Sequence, residues 1–192
     1  MSKNILEKLI IVRGQEASGK TTFVKELIER KMIDEDSVVI KDVVAEELGY
    51  DNEMEYTEEV RKNLYASFFD KIKQVAENNK VLLVEAPFSD KRLIKQLLRQ
   101  VDQYIERSTK IKMVTFVADE EVRRTRALNR EEYIGFSRKH IDNRMSFSVK
   151  IDLDDRVQNI VVDTSELNFK KLVENIGVEL FDSKIKKELK IK

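Results

Sequence analysis

The segment GQEASGKTT, residues 14–22, combines two glycines with a lysine and hydroxyl side chains at a fixed spacing. The pattern G-x-x-x-x-G-K-[ST] is complete here, at Gly14, Gly19, Lys20 and Thr21. Glycine permits the tight turn and the close backbone approach that several inward-pointing N–H groups need around a phosphate. The lysine supplies a mobile charge for the outer phosphates, and the threonine hydroxyl is a ligand for Mg²⁺. The segment therefore predicts a site for ATP and Mg²⁺.

The flanks of this segment, which we call the phosphate loop, agree with that interpretation. The apolar run LIIV at 9–12 indicates a strand before it, and TTFVKELIERK indicates a helix after it, whose N-terminal dipole favours an anion. The alternative is an ordinary strand–turn–helix unit with chance residues, but four positions and both flanks fit the motif. The residues expected to contact the nucleotide are Gly14, Gln15, Glu16, Ala17, Ser18, Gly19, Lys20, Thr21 and Thr22.

A carboxylate follows the second apolar run, in VVIKDVVAEELGY. Asp42 is expected at the carboxyl end of a strand, where open α/β sheets place their ligands. There it could accept the proton of an acceptor hydroxyl and orient that hydroxyl toward the γ-phosphate. The alternative is an N-cap, because Asp42 precedes a helical pattern. We predict a catalytic role and leave both interpretations open.

A second carboxylate closes the third apolar run, in LLVEAPF. Glu85 ends an otherwise apolar strand, so it is a candidate for a Mg²⁺–water contact or a substrate contact. The alternative is that Glu85 is only the first polar residue at a strand end. We predict Thr21 and Glu85 as the residues on the metal side of the site.

Arginines are concentrated after the fourth apolar run, at positions 123, 124, 126, 130, 138 and 144. Arg126 and Arg130 are four residues apart and so share one face of a helix. Guanidinium groups suit phosphate oxygens and stack on adenine. We predict both as catalytic and Arg126 also as a nucleotide contact. The alternative is a solvated helix in which the arginines pair with nearby glutamates.

The elements that must position these residues alternate along the chain. Five short runs rich in β-branched residues suit buried parallel strands, and helical patterns separate them. This alternation predicts a parallel sheet covered on both faces, an α/β fold of three α/β/α layers. The runs are LIIV (9–12), SVVI (37–40), VLLVEA (81–86), IKMVTFV (111–117) and NIVV (159–162).

Composition narrows the function classes. The 192 residues fit one domain, and 36 basic residues balance 36 acidic ones, so any anion site must be local. The absence of cysteine excludes disulfides and thiol chemistry, and the single histidine excludes multi-histidine metal sites. No apolar run approaches the length of a membrane span and the N-terminus has no signal-peptide core. We therefore expect a cytoplasmic protein without a membrane partner.

At this point the chain resembles the P-loop nucleoside and nucleotide kinase family, and within it the dephospho-CoA kinases most. The similar features are the phosphate loop, KDVVAEEL after the second strand, VEAPF after the third, the two arginines four apart, and the VVDTS turn at 161–165. The resemblance implies a five-stranded sheet in the order 2-3-1-4-5. It also implies an acceptor-binding helical region at about 43–79 and a lid at about 119–148. The basic segment 183–192 is predicted to be a C-terminal tail.

These features predict an ATP- and Mg²⁺-dependent phosphotransferase acting on a small-molecule or nucleotide acceptor, dephospho-CoA included. One alternative is a 5′-hydroxyl polynucleotide kinase, but a pI of about 6.7 does not favour a nucleic-acid partner. The other is a non-catalytic nucleotide-binding switch or ATPase. The sequence leaves the acceptor and the oligomeric state open.

Overall fold

The computed structural model of the protein describes residues 4–50, 57–129, 156–165 and 169–181. Its strands are short and apolar, as the β-branched runs predict. They are β1 Lys8–Gly14, β2 Val38–Ile40, β3 Val81–Glu85, β4 Lys110–Val117 and β5 Val157–Asp163.

Six α-helices lie between and after these strands in the described residues. They are α1 Lys20–Glu29, α2 Lys41–Glu47, α3 Glu58–Asn78, α4 Lys91–Val101, α5 Glu120–Leu128 and α6 Phe169–Phe181. Two of them begin with a side-chain cap: Thr57 accepts a hydrogen bond from the backbone N–H of Val60, and Asp90 accepts one from that of Arg92. Short 3₁₀ turns at Glu35–Ser37 and Asp102–Tyr104 complete the connections.

The five strands form one parallel sheet in the order β2-β3-β1-β4-β5. This confirms the expected three-layer fold and its strand order. In the register of the sheet, Val12 of β1 lies opposite Glu85 of β3 and Val114 of β4. Because all strands run the same way, the carboxyl ends of β1, β2 and β3 meet at one edge of the sheet, where ligands bind in folds of this kind.

Each face of the sheet carries its own apolar cluster. On one face, Leu9 and Ile11 of β1 pack in a cluster with α3 and α4, which contribute Phe68 and Ile94 among others. On the other face, Ile10 and Val12 pack in a cluster with residues of α1 and α6. Alternating residues of the central strand thus serve opposite faces, and the rigid layer that results fixes the strand ends that carry the site.

Some predicted regions lie partly outside the described residues. Positions 51–56 of the acceptor-binding region, 130–148 of the lid and the tail 183–192 belong to these, so the predicted domain organisation stays a prediction. Among the described helices, none has the length and apolar character needed to cross a membrane.

Candidate active site

The phosphate loop leaves β1 through a glycine that no other residue can replace without displacing the backbone. Gly14 has a φ of 149°, and a Cβ atom placed on it would lie 2.2 Å from the carbonyl oxygen of Phe116 in β4. The backbone N–H of Gly14 also donates to the carbonyl of Pro87, at 3.4 Å. The first motif glycine therefore lets β1 turn between its two neighbouring strands.

Inside the loop, three donors converge on the carbonyl oxygen of Gln15. The backbone N–H and the hydroxyl of Ser18 donate to it at 3.3 and 2.7 Å, and the Lys20 ammonium at 2.9 Å. Ala17 and Gly19 have φ values of 56° and 92°, so the backbone turns through the left-handed region twice. The result is a curled loop with the ammonium held over it.

The loop is also tied to the end of β4 through Gln15. Its backbone N–H donates to the carbonyl of Phe116 at 3.2 Å, and its side-chain oxygen accepts from the N–H of Ala118 at 3.2 Å. These contacts hold the first half of the loop between β1 and β4. The second half continues directly into α1, which begins at Lys20 after Gly19. The helix N-terminus therefore faces the loop, as the sequence predicts.

Glu85 lies beside the loop and is nearly sealed from solvent, with 2% of its surface exposed. The hydroxyl of Thr21 donates to Oε2 of Glu85 at 3.3 Å. Burial raises the pKa of Glu85 to about 7, and the positive charge of Lys20 opposes that rise. Since a carboxylate costs this much to bury alone, its place beside a hydroxyl and an ammonium fits a site completed by a cation.

The donor set fits Mg²⁺ bound mainly through nucleotide and water. Mg²⁺ usually takes one or two protein oxygens plus phosphates and waters, not an all-protein cage. In the described ranges, no group of three or more acidic or histidine side chains forms such a cage. Thr21 and Glu85 would hold the ion, with the hydroxyl as a direct ligand and the carboxylate through water. This assignment stays a prediction.

Asp42 lies in the first turn of α2 and is not its N-cap. The helix begins at Lys41, and its N-cap residue is Ile40, which makes no side-chain cap hydrogen bond. The N-cap interpretation of Asp42 is therefore wrong. Its carboxylate is 52% exposed and pairs with the Lys41 ammonium, Oδ1 to Nζ, at 2.8 Å. Ile40, the last residue of β2, lies opposite Glu85, the last residue of β3. Asp42 therefore follows the strand that neighbours the one carrying Glu85.

An aromatic and basic surface of α3 faces Asp42. Tyr65 is half-buried, and its ring packs edge-on against Phe68 and at a tilt against Phe69. Burial raises the pKa of the Tyr65 hydroxyl, with smaller opposing influences from the charges of Lys41 and Asp42. Arg61, one helical turn earlier and exposed, also acts on this hydroxyl. The acceptor side thus offers a carboxylate, two cations and a ring.

Arg126 lies on the far side of the loop, against the residues that follow β5. Its Nη1 donates to the hydroxyl of Thr164 at 3.0 Å and its Nη2 to the Thr164 carbonyl at 2.7 Å. The hydroxyl of Thr164 in turn donates to the carbonyl of Ser18 at 2.9 Å. Arg126 is therefore connected to the phosphate loop through one residue. Its catalytic and nucleotide-binding roles stay predictions.

The other arginines of this region behave differently from one another. Arg123 is buried, its Nε donates to the carbonyl of Ala118 at 3.0 Å, and burial lowers its pKa. Arg124 forms the predicted surface pair, with Glu120 at 3.0 Å. Arg130, predicted as catalytic, and the arginines at 138 and 144 lie outside the described residues.

Sequence reasoning did not single out several residues that the structure brings to the site. Thr164 was noted only as part of the VVDTS turn, and Lys41 and Tyr65 were not considered. Arg13 is fully buried in β1 and its pKa falls to about 10 because of that burial. A charged residue between an apolar run and a motif glycine was the available signal for Arg13. Nothing local marked the other three.

A parallel sheet in this order, with a glycine-rich loop between β1 and α1 and a buried carboxylate at the end of β3, defines a P-loop protein of the kinase fold. Residues 9–146 match the family described as AAA domain. The chain belongs to that family. No curated protein matches it.

Solved structures agree on the fold. A sugar kinase from Janibacter sp. HTCC2649 is 17% identical, covering 90% of this chain and 93% of that one, with a TM-score of 0.61. A gluconokinase from Sinorhizobium meliloti 1021 is 14% identical, covering 97% and 99%, with a TM-score of 0.59. Kti12 from Chaetomium thermophilum, solved with ADP-AlF3, is 15% identical, covering 91% and 100%, with a TM-score of 0.56. At such identities the likeness extends to the fold alone.

Proposed function

We propose that the protein is an ATP- and Mg²⁺-dependent phosphotransferase. It moves the γ-phosphate of ATP to a hydroxyl or phosphate of a nucleotide-like small molecule, with dephospho-CoA among the candidates. The observation that carries this proposal is the convergence of Lys20, Thr21 and Glu85 at one edge of the sheet, one strand away from Asp42.

The nucleotide side of the site has the groups that phosphoryl transfer needs. Lys20 is held 2.9 Å from the Gln15 carbonyl and can move its charge onto the outer phosphates. Thr21 and Glu85 would hold Mg²⁺, which offsets the charge that develops on the transferring phosphoryl group. The curled loop 14–21 would surround the phosphates with backbone N–H groups.

The acceptor side of the site supplies a base. As the acceptor oxygen bonds to the γ-phosphorus, the bond to the bridging oxygen of ADP breaks, and the hydroxyl proton passes to Asp42. Lys41 pairs with this carboxylate, and the charges of Lys41, Asp42 and Arg61 all act on the hydroxyl of Tyr65, which adds a flat ring. These groups favour an acceptor that carries an anionic group beside the reacting hydroxyl.

The comparisons support this proposal in general terms. Two of the similar folds belong to proteins named as a sugar kinase and a gluconokinase, and the third was solved with ADP-AlF3. These names support a kinase or a nucleotide-binding protein. The acceptor of this chain is proposed from its own residues.

A screen of acceptors with γ-labelled ATP tests the proposal. Nucleosides, their monophosphates, dephospho-CoA, small sugars with and without a phosphate, and a 5′-hydroxyl oligonucleotide would be compared at equal concentration. We expect label transfer to a small acceptor, and faster transfer to the phosphorylated member of a matched pair. Transfer to the oligonucleotide alone would instead establish a polynucleotide kinase.

A nucleotide-dependent switch or ATPase is the second candidate function. The observation that favours it is the ion pair between Asp42 and Lys41, which already occupies the carboxylate. A switch would hydrolyse ATP slowly at the same rate with every acceptor. The screen therefore separates the two functions, because a phosphotransferase consumes ATP faster when its acceptor is present.

A further inference from the structure

Thr164, the first residue after β5, lies between two parts of the site that are far apart in the sequence. It is fully buried, and its backbone N–H donates to the carbonyl of Val117 at the end of β4, at 2.9 Å. These contacts fix its position at the edge of the sheet. Its side chain then reaches α5 in one direction and the phosphate loop in the other.

The Thr164 hydroxyl accepts from Arg126 and has its own proton to donate. Nη1 of Arg126 has only protons to offer, so at 3.0 Å it must donate to this oxygen. The single hydroxyl proton then has two acceptors within reach, the carbonyl of Ser18 at 2.9 Å and that of Val117 at 3.3 Å, and the shorter contact favours Ser18. The charge of Arg126 strengthens that second bond, because a hydroxyl that accepts from a cation donates more strongly.

We propose that Thr164 is a positioning residue that couples Arg126 to the phosphate loop. The Ser18 carbonyl is the point at which the loop is anchored on this side, and Ser18 itself is fully buried. Its N–H and hydroxyl both hold the curl of the loop through Gln15. A nucleotide that draws on Arg126 therefore also tightens the phosphate loop, and a loop closed on phosphates holds Arg126 in place. This inference rests on the proposed function, since it assumes that the loop binds a nucleotide.

Removal of the hydroxyl tests the proposal. Thr164→Val keeps the shape but leaves the Ser18 carbonyl without this donor, and the expected result is about tenfold weaker binding of Mg²⁺–ADP by calorimetry. Thr164→Ser restores the hydroxyl and should bind within about twofold of wild type. A Val variant that binds like wild type, or a Ser variant as weak as Val, overturns the proposal.

A second buried threonine provides the control for a purely structural effect. The hydroxyl of Thr109 donates to the carbonyl of Leu6 at 2.6 Å, just before β4 begins and so at the opposite end of that strand from the site. Thr109→Val should lower the melting temperature while leaving ADP affinity unchanged. Equal losses of affinity in Thr109→Val and Thr164→Val would show that the effect is general loosening and would overturn the proposal.

The coupling can also be tested by changing Arg126, which is partly exposed. This keeps the test informative if Thr164→Val does not fold. Arg126→Met removes the guanidinium and retains the apolar stem. In combination with Thr164→Val, or with Thr164→Ala as a second choice, the loss of ADP affinity should be clearly smaller than the product of the single losses. Losses that multiply fully would contradict the coupling. If wild type binds no ADP, the proposed function itself fails. If wild type binds ADP and the variants bind it equally well, this inference fails alone.

Discussion

The two sides of the candidate site are built in different ways. The nucleotide side is buried and internally bonded: Lys20 is 8% exposed, Glu85 is 2% exposed, and both lie against the phosphate loop. The acceptor side is more exposed: the Asp42 side chain is 52% exposed and pairs with the Lys41 ammonium. The first side is shaped before any ligand arrives, whereas the second leaves room for one.

This difference indicates how the work is divided. A preorganised loop suits a ligand whose phosphates are always the same, because its dipoles need no rearrangement when the ligand binds. An exposed carboxylate paired with Lys41, near Tyr65 of the neighbouring helix, suits an acceptor that brings its own contacts and completes the site. Variants on the nucleotide side should therefore change both binding and turnover, and variants on the acceptor side should change turnover.

The largest expected effect follows from removing the loop's ammonium. Lys20→Ala should lower ATP turnover by about 10³-fold, because a charge placed on the transferring phosphates acts most strongly in the transition state. Lys25→Ala, on the exposed face of the same helix, should leave turnover unchanged. Wild-type turnover in Lys20→Ala would remove the phosphate loop from the mechanism.

Two glycines, one on each side, sharpen the comparison through stability. In Gly14→Ala the new Cβ would meet the Phe116 carbonyl at 2.2 Å, so unfolding in urea should show a loss of about 3 kcal/mol or more. Gly49, after α2, has a φ of 72° with open space around it, so Gly49→Ala should lose only about 1 kcal/mol. Equal losses would mean that the nucleotide side is no more constrained than the acceptor side.

The acceptor side should respond in turnover and hardly in stability. Asp42→Asn keeps the shape but removes the base, so phosphoryl transfer should fall by about 10²-fold. Its exposed ion pair contributes little, so the free energy of unfolding should change by less than about 1 kcal/mol. Glu46→Gln, one helical turn further along α2, is the control. Normal transfer in Asp42→Asn would favour the switch.

The smallest expected effect concerns the pH dependence of stability. Folding raises the pKa of Glu85 from its ordinary value of 4.5 to about 7, so the nucleotide-free protein loses stability as pH rises through that window. Glu85→Gln has no proton to lose. At pH 8 it should be more stable than wild type by about 2 kcal/mol, and at pH 4.5 the two should be similar. Parallel stability curves from pH 4.5 to 8 would contradict the burial cost assigned to this carboxylate.

The sequence predicted what depends on local pattern. The apolar runs gave the five strands, and the alternation with helices gave the layers. The loop motif predicted that α1 starts near Lys20, because glycine geometry and the lysine–threonine pair are fixed by neighbours in the chain. The strand order came from the family resemblance, and the sheet confirms it.

The sequence could not predict contacts made between distant segments. Thr164 and Ser18 are 146 residues apart, and only the return of β5 to the sheet brings them together. The same reasoning explains Arg123, which looks like a surface residue beside glutamates until the fold buries it at the end of β4. The N-cap interpretation of Asp42 failed for a local reason: α2 begins directly at the end of β2, so Ile40 takes the N-cap position and Asp42 lies inside the first turn.

Binding of Mg²⁺–ADP to the wild-type protein tests the central claim, that loop 14–21 is a nucleotide phosphate site, most directly. Calorimetry should show one saturable site per chain. At about 100 times the dissociation constant, the ligand should raise the melting temperature by about 5–10 °C, and chelation of Mg²⁺ should reduce the shift. The absence of both a heat of binding and a melting shift at millimolar Mg²⁺–ADP would contradict the claim.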